Sequence, residues 1–236
     1  MSAAIRLENV GVRFGRTLAL SDVDATFERG SMTAVVGENG AGKSTLLRAI
    51  MGIVRLTTGR ISLDGLRRAD IAYLPQAQEI DRSFPIDVAD FVSLGAWPRI
   101  GLSRSLAASE ENRLLAAIER VGLTTQTRTQ IAQLSGGQFQ RALFARLILQ
   151  DAPLMLLDEP FAAVDAKTTN VLMALLREWH MNGRTIVAVL HDMALVRREF
   201  AQVMLLRHRL VTHGPTDTAF AAMLSGEGNE ARFAAE

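Results

Sequence analysis

Apolar and polar residues alternate near the start of the chain, at Ile5 and Leu7, then Val10, Val12 and Phe14, and again at Val23, Ala25 and Phe27. A period of two predicts short antiparallel strands with one wet face. Met32 to Val36 is a compact apolar run that stops at Gly37. Lys43 to about Met51 then takes a helical spacing, with Gly52 as its stop. Ile61 to Leu63, the turn Asp64–Gly65 and Ile71 to Leu74 predict further strands.

From Ser83 the period lengthens. Val88, Phe91 and Val92, then Leu114, Leu115, Ile118 and Val121, fall at helical spacing, with Ser109 as the N-cap of the second set. This helical middle, about Gln78 to Gln150, is expected to be a subdomain inserted into the core. Leu154 to Leu157 and Thr185 to Val189 are continuous apolar runs suited to buried parallel strands. Val171, Leu172, Leu175, Leu176 and Trp179 mark an amphipathic helix between them. Strand, crossover helix and parallel strand make an α/β fold. The stretch Ser225 to Glu236 is polar and Ala/Gly-rich, and is expected to fray.

At about 150 residues per domain, 236 residues fit one core with an inserted subdomain as well as two domains. Its longest apolar runs, such as Val171 to Leu176, fall far short of the ~20 residues of a membrane-spanning helix, so no crossing of a bilayer is expected. With no cysteine there is no disulfide framework and no thiolate metal site, and the cytosol is the default compartment. A net charge of +1 implies no general affinity for nucleic acid. Only Lys43 and Lys167 are lysines among the 26 basic residues, so arginine pairs such as Arg67–Arg68 read as solvated surface. The same bias makes Lys43 stand out.

Lys43 lies in Gly37-Glu38-Asn39-Gly40-Ala41-Gly42-Lys43-Ser44, which matches G-x-x-x-x-G-K-[ST] at every fixed position, with Thr45 following. An apolar strand precedes it and a helix follows. The glycines let backbone N–H groups turn around a phosphate, Lys43 adds a charge for the outer phosphates, and Ser44 offers a hydroxyl to Mg²⁺. This is a nucleotide-binding P-loop. Leu154-Met155-Leu156-Leu157-Asp158-Glu159 ends a second apolar strand on two carboxylates. At the carboxyl end of a parallel sheet they would face the same crevice. Asp158 is then expected to hold Mg²⁺, and Glu159 to polarise an attacking water. Between these motifs, Leu134-Ser135-Gly136-Gly137-Gln138 opens a helix, with Ser135 as its cap. Two glycines at a helix N-terminus form a second anion cradle, which suggests a site closed by another copy.

With those three motifs in place, the sequence resembles the ATP-binding cassette (ABC) ATPases over nearly its whole length. Leu134 to Gln138 is identical to that family's signature. The resemblance implies a P-loop NTPase of the ABC-ATPase fold, with a mixed RecA-like core sheet, an N-terminal antiparallel β subdomain and an inserted helical subdomain. It also implies roles for single residues. Phe14 would stack on adenine, although its strand alternation alone favours a core aromatic. Gln76 would sense γ-phosphate and Mg²⁺ and contact the membrane partner. Asp165 would cross the dimer interface, and His191 would hold γ-phosphate and help position the water. His180, His208 and His213 read as solvated. Glu38 stands where proline is usual, Phe14 where tyrosine is commoner, and Ala162-Ala163-Val164-Asp165 where Ser-Ala-Leu-Asp is usual.

The expected activity is therefore ATP hydrolysis, with ATP sandwiched in a head-to-tail homodimer. It would be coupled to import through separate permease subunits docked on the helical subdomain near Gln76, at the cytoplasmic face of a membrane. An extracytoplasmic solute-binding protein would complete the system. Asp81-Arg82-Ser83-Phe84-Pro85-Ile86-Asp87-Val88 and the Asp158 to Asp165 segment are similar to ATPases of zinc and manganese uptake. Val92-Ser93-Leu94-Gly95-Ala96-Trp97-Pro98 is also similar to ferric-siderophore and haem importers, which makes these the alternative. A cytosolic ABC ATPase acting on DNA or ribosomes usually carries a long coiled-coil insertion or a second cassette, and neither is seen here. A GTPase would carry an Asn-Lys-x-Asp motif, which is absent.

Overall fold

The computed structural model describes residues 2–100 and 108–225. In chain order these form β1 (Ala3–Phe14), β2 (Thr17–Glu28), β3 (Met32–Val36), α1 (Lys43–Met51), β4 (Thr58–Ser62), β5 (Ile71–Leu74), α2 (Val88–Ser93), α3 (Trp97–Ile100) and α4 (Ala108–Arg120). They continue with α5 (Gly136–Gln150), β6 (Leu154–Asp158), α6 (Ala166–Met181), β7 (Thr185–Val189), α7 (Met193–Glu199), β8 (Gln202–Arg207), β9 (Arg209–Pro215) and α8 (Thr216–Ser225). Among the described residues no helix is long and apolar enough to cross a membrane. The tail expected to fray, past Ser225, lies outside the described residues.

One sheet runs in the order β5-β6-β7-β3-β8-β9; its first five strands are parallel and β9 closes the edge antiparallel. A smaller antiparallel sheet has the order β2-β1-β4. The continuous apolar runs of β3, β6 and β7 follow from this layering, since both faces of the large sheet are covered. Ala34 and Val36 point to a core shared with α2, α4, α5 and α6. Val35 points the other way, into a core that α1 and the small sheet complete. Helix α1 thus lies between the two sheets, through Leu46, Leu47 and Ile50.

Several expectations need correction. The first strands are twelve residues each, not short. Their alternation jumps phase between Leu7 and Val10, where Asn9 (φ 49°) sits at a register shift and its N–H donates to Asp24 Oδ1 at 2.9 Å. The extra residue is a bulge, which lets a strand change phase without ending. Ser109 is no N-cap, because α4 begins at Ala108 and runs through it. Leu115 and Val171 face solvent at 49% and 43% exposure, so only part of each apolar stripe is core. The sequence reading named no strand after Val189; β8 and β9 complete the sheet there.

Phe144 on α5 is a junction within the larger core. It is fully buried, stacks on Trp179 of α6 with ring centroids 6.0 Å apart, and meets Phe161 at 6.5 Å. Truncating a buried phenylalanine costs about 3–5 kcal/mol, because the cavity collapses only in part. Phe144→Ala should lose stability of that size in chemical denaturation. Leu115→Ala on the exposed side of α4 should stay within about 0.5 kcal/mol of the parent.

Candidate functional site

The turn from β3 into α1 is set by what a side chain would hit. Gly37 has φ 150°, and a Cβ there would lie 2.2 Å from the carbonyl oxygen of Leu206 on β8. At Gly42 (φ 94°) a Cβ would lie 2.4 Å from the carbonyl oxygen of Ala19. Only glycine fits both places. Above this turn opens a cleft of about 640 Å³, lined by Asn39, Gly40, Gly42, Lys43, Ser44 and Thr45 on one side. Gly37, Glu38 and Ala41 shape the loop beneath rather than the cleft wall. The ammonium of Lys43 donates to the carbonyls of Gly37 and Glu38 at 2.9 and 2.8 Å. Burial pulls this lysine below its ordinary range, and the charges of Glu159 and Asp158 oppose that pull.

The acid pair comes from the end of β6, which is separated from β3 by β7. Asp158 is fully buried, and its Oδ1 accepts from the Ser44 hydroxyl at 3.1 Å. Its Oδ2 is buried with no hydrogen-bond partner. Burial pushes the Asp158 carboxyl above its usual range, against the pull of the Ser44 hydrogen bond. An orphaned carboxylate oxygen beside the Ser44 hydroxyl is a pair of oxygen donors, the kind hard divalent cations take, and the Gln76 side chain, whose amide also carries an oxygen, lies next to them. Among the described residues no group of three or more His, Cys, Asp or Glu is placed to hold a metal.

Glu159 reaches the cleft through a backbone that departs from ordinary strand geometry. Its φ of 51° is left-handed, a conformation costing a non-glycine residue roughly 1 kcal/mol or more. Its N–H donates to Val189 at 3.2 Å and its carbonyl accepts from Ala162, so the turn is held at both ends. Gln76 Nε2 donates to Glu159 Oε1 at 3.0 Å and contacts the Ser44 hydroxyl at 3.4 Å. His191 Nε2 lies 2.8 Å from the same Glu159 oxygen. Three segments distant in sequence, after β5, β6 and β7, thus converge on one carboxylate.

Ser135, Gly136, Gly137, Gln138 and Asp165 do not line this cleft. Ser135 caps α5: its hydroxyl accepts from the N–H of Gln138 at 3.2 Å, and Gln138 Oε1 accepts from the N–H of Ser135 at 2.9 Å. The two glycines lie beside the loop that ends at Asp165, with the Ala163 carbonyl 3.6 Å from a Cβ built at Gly136. Asp165 in turn caps α6, accepting from the N–H of Thr168 at 2.7 Å, and that bond lowers its carboxyl from the usual range. The α5 end is held from the other side by Arg82. This guanidinium donates to the carbonyls of Ile131 and Leu134 and lies 4.6 Å over the Phe139 ring.

The opposite wall of the cleft holds Phe14, Thr17, Leu18 and Ala19. Phe14 is 52% exposed, which removes the core reading of that aromatic. Of the histidines expected to be solvated, His213 is not. His213 is half-buried against Phe27, with ring centroids 5.3 Å apart, and burial lowers its pKa. His208 is exposed, as expected, and it also lines the cleft. Nothing in its flanking residues signals this, because its position depends on the β8–β9 turn.

Residues 20–162 match the family model described as ABC transporter. The chain is 40% identical to the manganese transport system ATP-binding protein of Listeria innocua over 220 residues, 92% of each chain. It is 38% identical to the zinc transport system ATP-binding protein of Treponema pallidum, covering 92% of this chain and 83% of that one. A dimeric ATP-binding cassette in a post-hydrolysis state, bound to ADP and phosphate, has a TM-score of 0.78 at 26% identity, covering 90% of this chain and 98% of that chain. The P-loop turn, the buried Asp158 and the capped α5 fall on the stretch, or directly beside it, that these similarities share, and the chain belongs to the ABC transporter family.

Proposed function

We propose that this chain is the ATP-hydrolysing subunit of an ABC importer for manganese or zinc, acting at the cytoplasmic face of a membrane as a head-to-tail pair of copies. The observation that carries the hydrolytic reading is the convergence of Gln76, His191 and Ser44 on the carboxylates of Asp158 and Glu159. The metal reading draws on the relatives named for manganese and zinc transport, together with the Asp81 to Val88 segment. Residues 78–150 would form the inserted subdomain that receives the permease near Gln76, and an extracytoplasmic solute-binding protein would deliver the cation.

In this reading Lys43 and the P-loop N–H groups hold the outer phosphates of ATP, and Phe14 stacks on its base. Ser44, Gln76 and Asp158 would hold Mg²⁺, which supplies charge neutralisation at the β- and γ-phosphates. Glu159 accepts the proton of a water as the water oxygen bonds to the γ-phosphorus. The bond from that phosphorus to the bridging oxygen breaks, leaving ADP and inorganic phosphate. Gln76 and His191, both on Glu159 Oε1, fix where its second oxygen points. Ser135, Gly136, Gly137 and Gln138 would close over the nucleotide held by the partner copy, with Asp165 at the same interface. Their absence from this chain's own cleft supports that reading.

Glu159→Gln keeps size but loses the charge that takes the proton. It should bind ATP and Mg²⁺ yet hydrolyse at least about 10²-fold more slowly. Hydrolysis at the parent rate would move the base assignment away from Glu159.

The composite site is tested by mixing. Lys43→Ala and Ser135→Arg should each abolish ATP-driven closure of a homodimer. In their heterodimer one site gathers both lesions and the other is intact, so ATP occupancy should return to one site per pair. Verified heterodimers without bound ATP would rule out the role in trans.

For the cargo, a deletion strain should grow poorly under zinc or manganese chelation and recover when the metal is restored. A defect confined to haem or ferric-siderophore as iron source would instead support the alternative importer class.

A further inference from the structure

The turn between β8 and β9 reaches the nucleotide cleft from a side the P-loop does not occupy. His208 sits at its tip with φ 57°. Its N–H donates to the P-loop carbonyl of Ala41 at 2.9 Å, and its own carbonyl accepts from the N–H of Ser21 at 2.7 Å. The backbone is therefore fixed between the phosphate loop and β2. The imidazole faces the cleft shared by Phe14 and Leu18, and its Nδ1 lies 3.3 Å from the carbonyl oxygen of Ala19.

That contact sets the tautomer. A carbonyl oxygen only accepts, so the proton must sit on Nδ1. In the neutral ring Nε2 then carries a lone pair, and it has no protein partner among the described residues. The cleft thus presents one unengaged acceptor on the wall that carries Phe14.

We propose that His208 reads the edge of the purine base, its Nε2 accepting a hydrogen bond from a 6-amino group. Adenine carries an N6 amino donor, whereas guanine and hypoxanthine carry an O6 acceptor at that position. Two facing lone pairs repel, and the hydrogen bond made to a 6-amino group is lost. His208 is then a specificity-determining residue that selects 6-amino over 6-oxo purine nucleotides. The inference rests on the proposed ATP reading and on Phe14 as the stacking platform.

The test compares ADP with IDP, which differ at the purine 6-position and its adjoining ring nitrogen and need no hydrolysis to be scored. Their dissociation constants are measured by calorimetry on the full chain. The parent should bind ADP about fivefold more tightly than IDP, the size expected when one hydrogen bond is lost. His208→Gly keeps the left-handed turn, because glycine adopts that φ freely, and removes the ring. Its ratio should fall to within about twofold of unity. His208→Lys offers only donors and should favour IDP; the added charge acts on both diphosphates alike and cancels in the ratio. An unchanged ratio in both variants would overturn the proposal. So would an equal loss of ADP and IDP affinity in His208→Gly, which would put the ring on ribose or phosphate. A parent that binds neither nucleotide would overturn the nucleotide reading itself, and this inference with it.

Discussion

The burial of Asp158 organises everything around it. A carboxylate taken out of water at the end of a central strand is costly unless its oxygens are engaged. Here one oxygen holds the Ser44 hydroxyl at the start of α1, and the other has no protein partner. The first bond joins β6 to the P-loop across the intervening β7. The second oxygen is left with an unmet demand. The site is therefore assembled by the needs of one buried charge, and the neighbouring Glu159 takes a left-handed backbone to face the same opening.

The other fixed point is the floor of the cleft. Gly37 and Gly42 let the loop press against the carbonyls of Leu206 and Ala19 at distances no Cβ permits. That pressure brings β8, and with it the β8–β9 turn, against the phosphate loop. The carboxylate, amide and imidazole that meet in the cleft come from the ends of β5, β6 and β7, while the opposite wall comes from β1, β2 and that turn. Two sheets with α1 between them each supply one wall.

Much of this was legible in the sequence because it follows from local rules. The P-loop spacing, the apolar runs of β3, β6 and β7, the Ser135 cap and the Gly52 stop each reside within a few residues. What escaped depends on tertiary placement. The bulge at Asn9 turns two apparent short strands into one long one, since a phase jump in the pattern looks like an end. Ser109 has the chemistry of a cap but lies inside a helix that starts one residue earlier. His208 carries no signal of its own: only the antiparallel return of β9 and the contacts with Ala41 and Ser21 bring it to the cleft. Phe14 shows the converse, since strand alternation fits a core aromatic while the strand end leaves it exposed.

The N-terminal end of α5 is gripped from two sides. Arg82 holds the carbonyls just before Ser135, and the buried amide of Gln140 donates to the Pro160 carbonyl at 2.6 Å. Phe144 adds a ring contact with Phe161 two turns further along. The segments around Arg82, Ser135 and Phe161 thus form one mechanical part, although more than fifty residues of chain separate the first from the second. Recombination between relatives would respect that unit. A crossover between residues 82 and 131 would split the grip and pair an arginine from one parent with carbonyls from another. A crossover after Asp165 would carry all three segments together. Chimeric cassettes from this family should thus inherit these segments as a block, and sequence drift within any one of them is restrained by the other two.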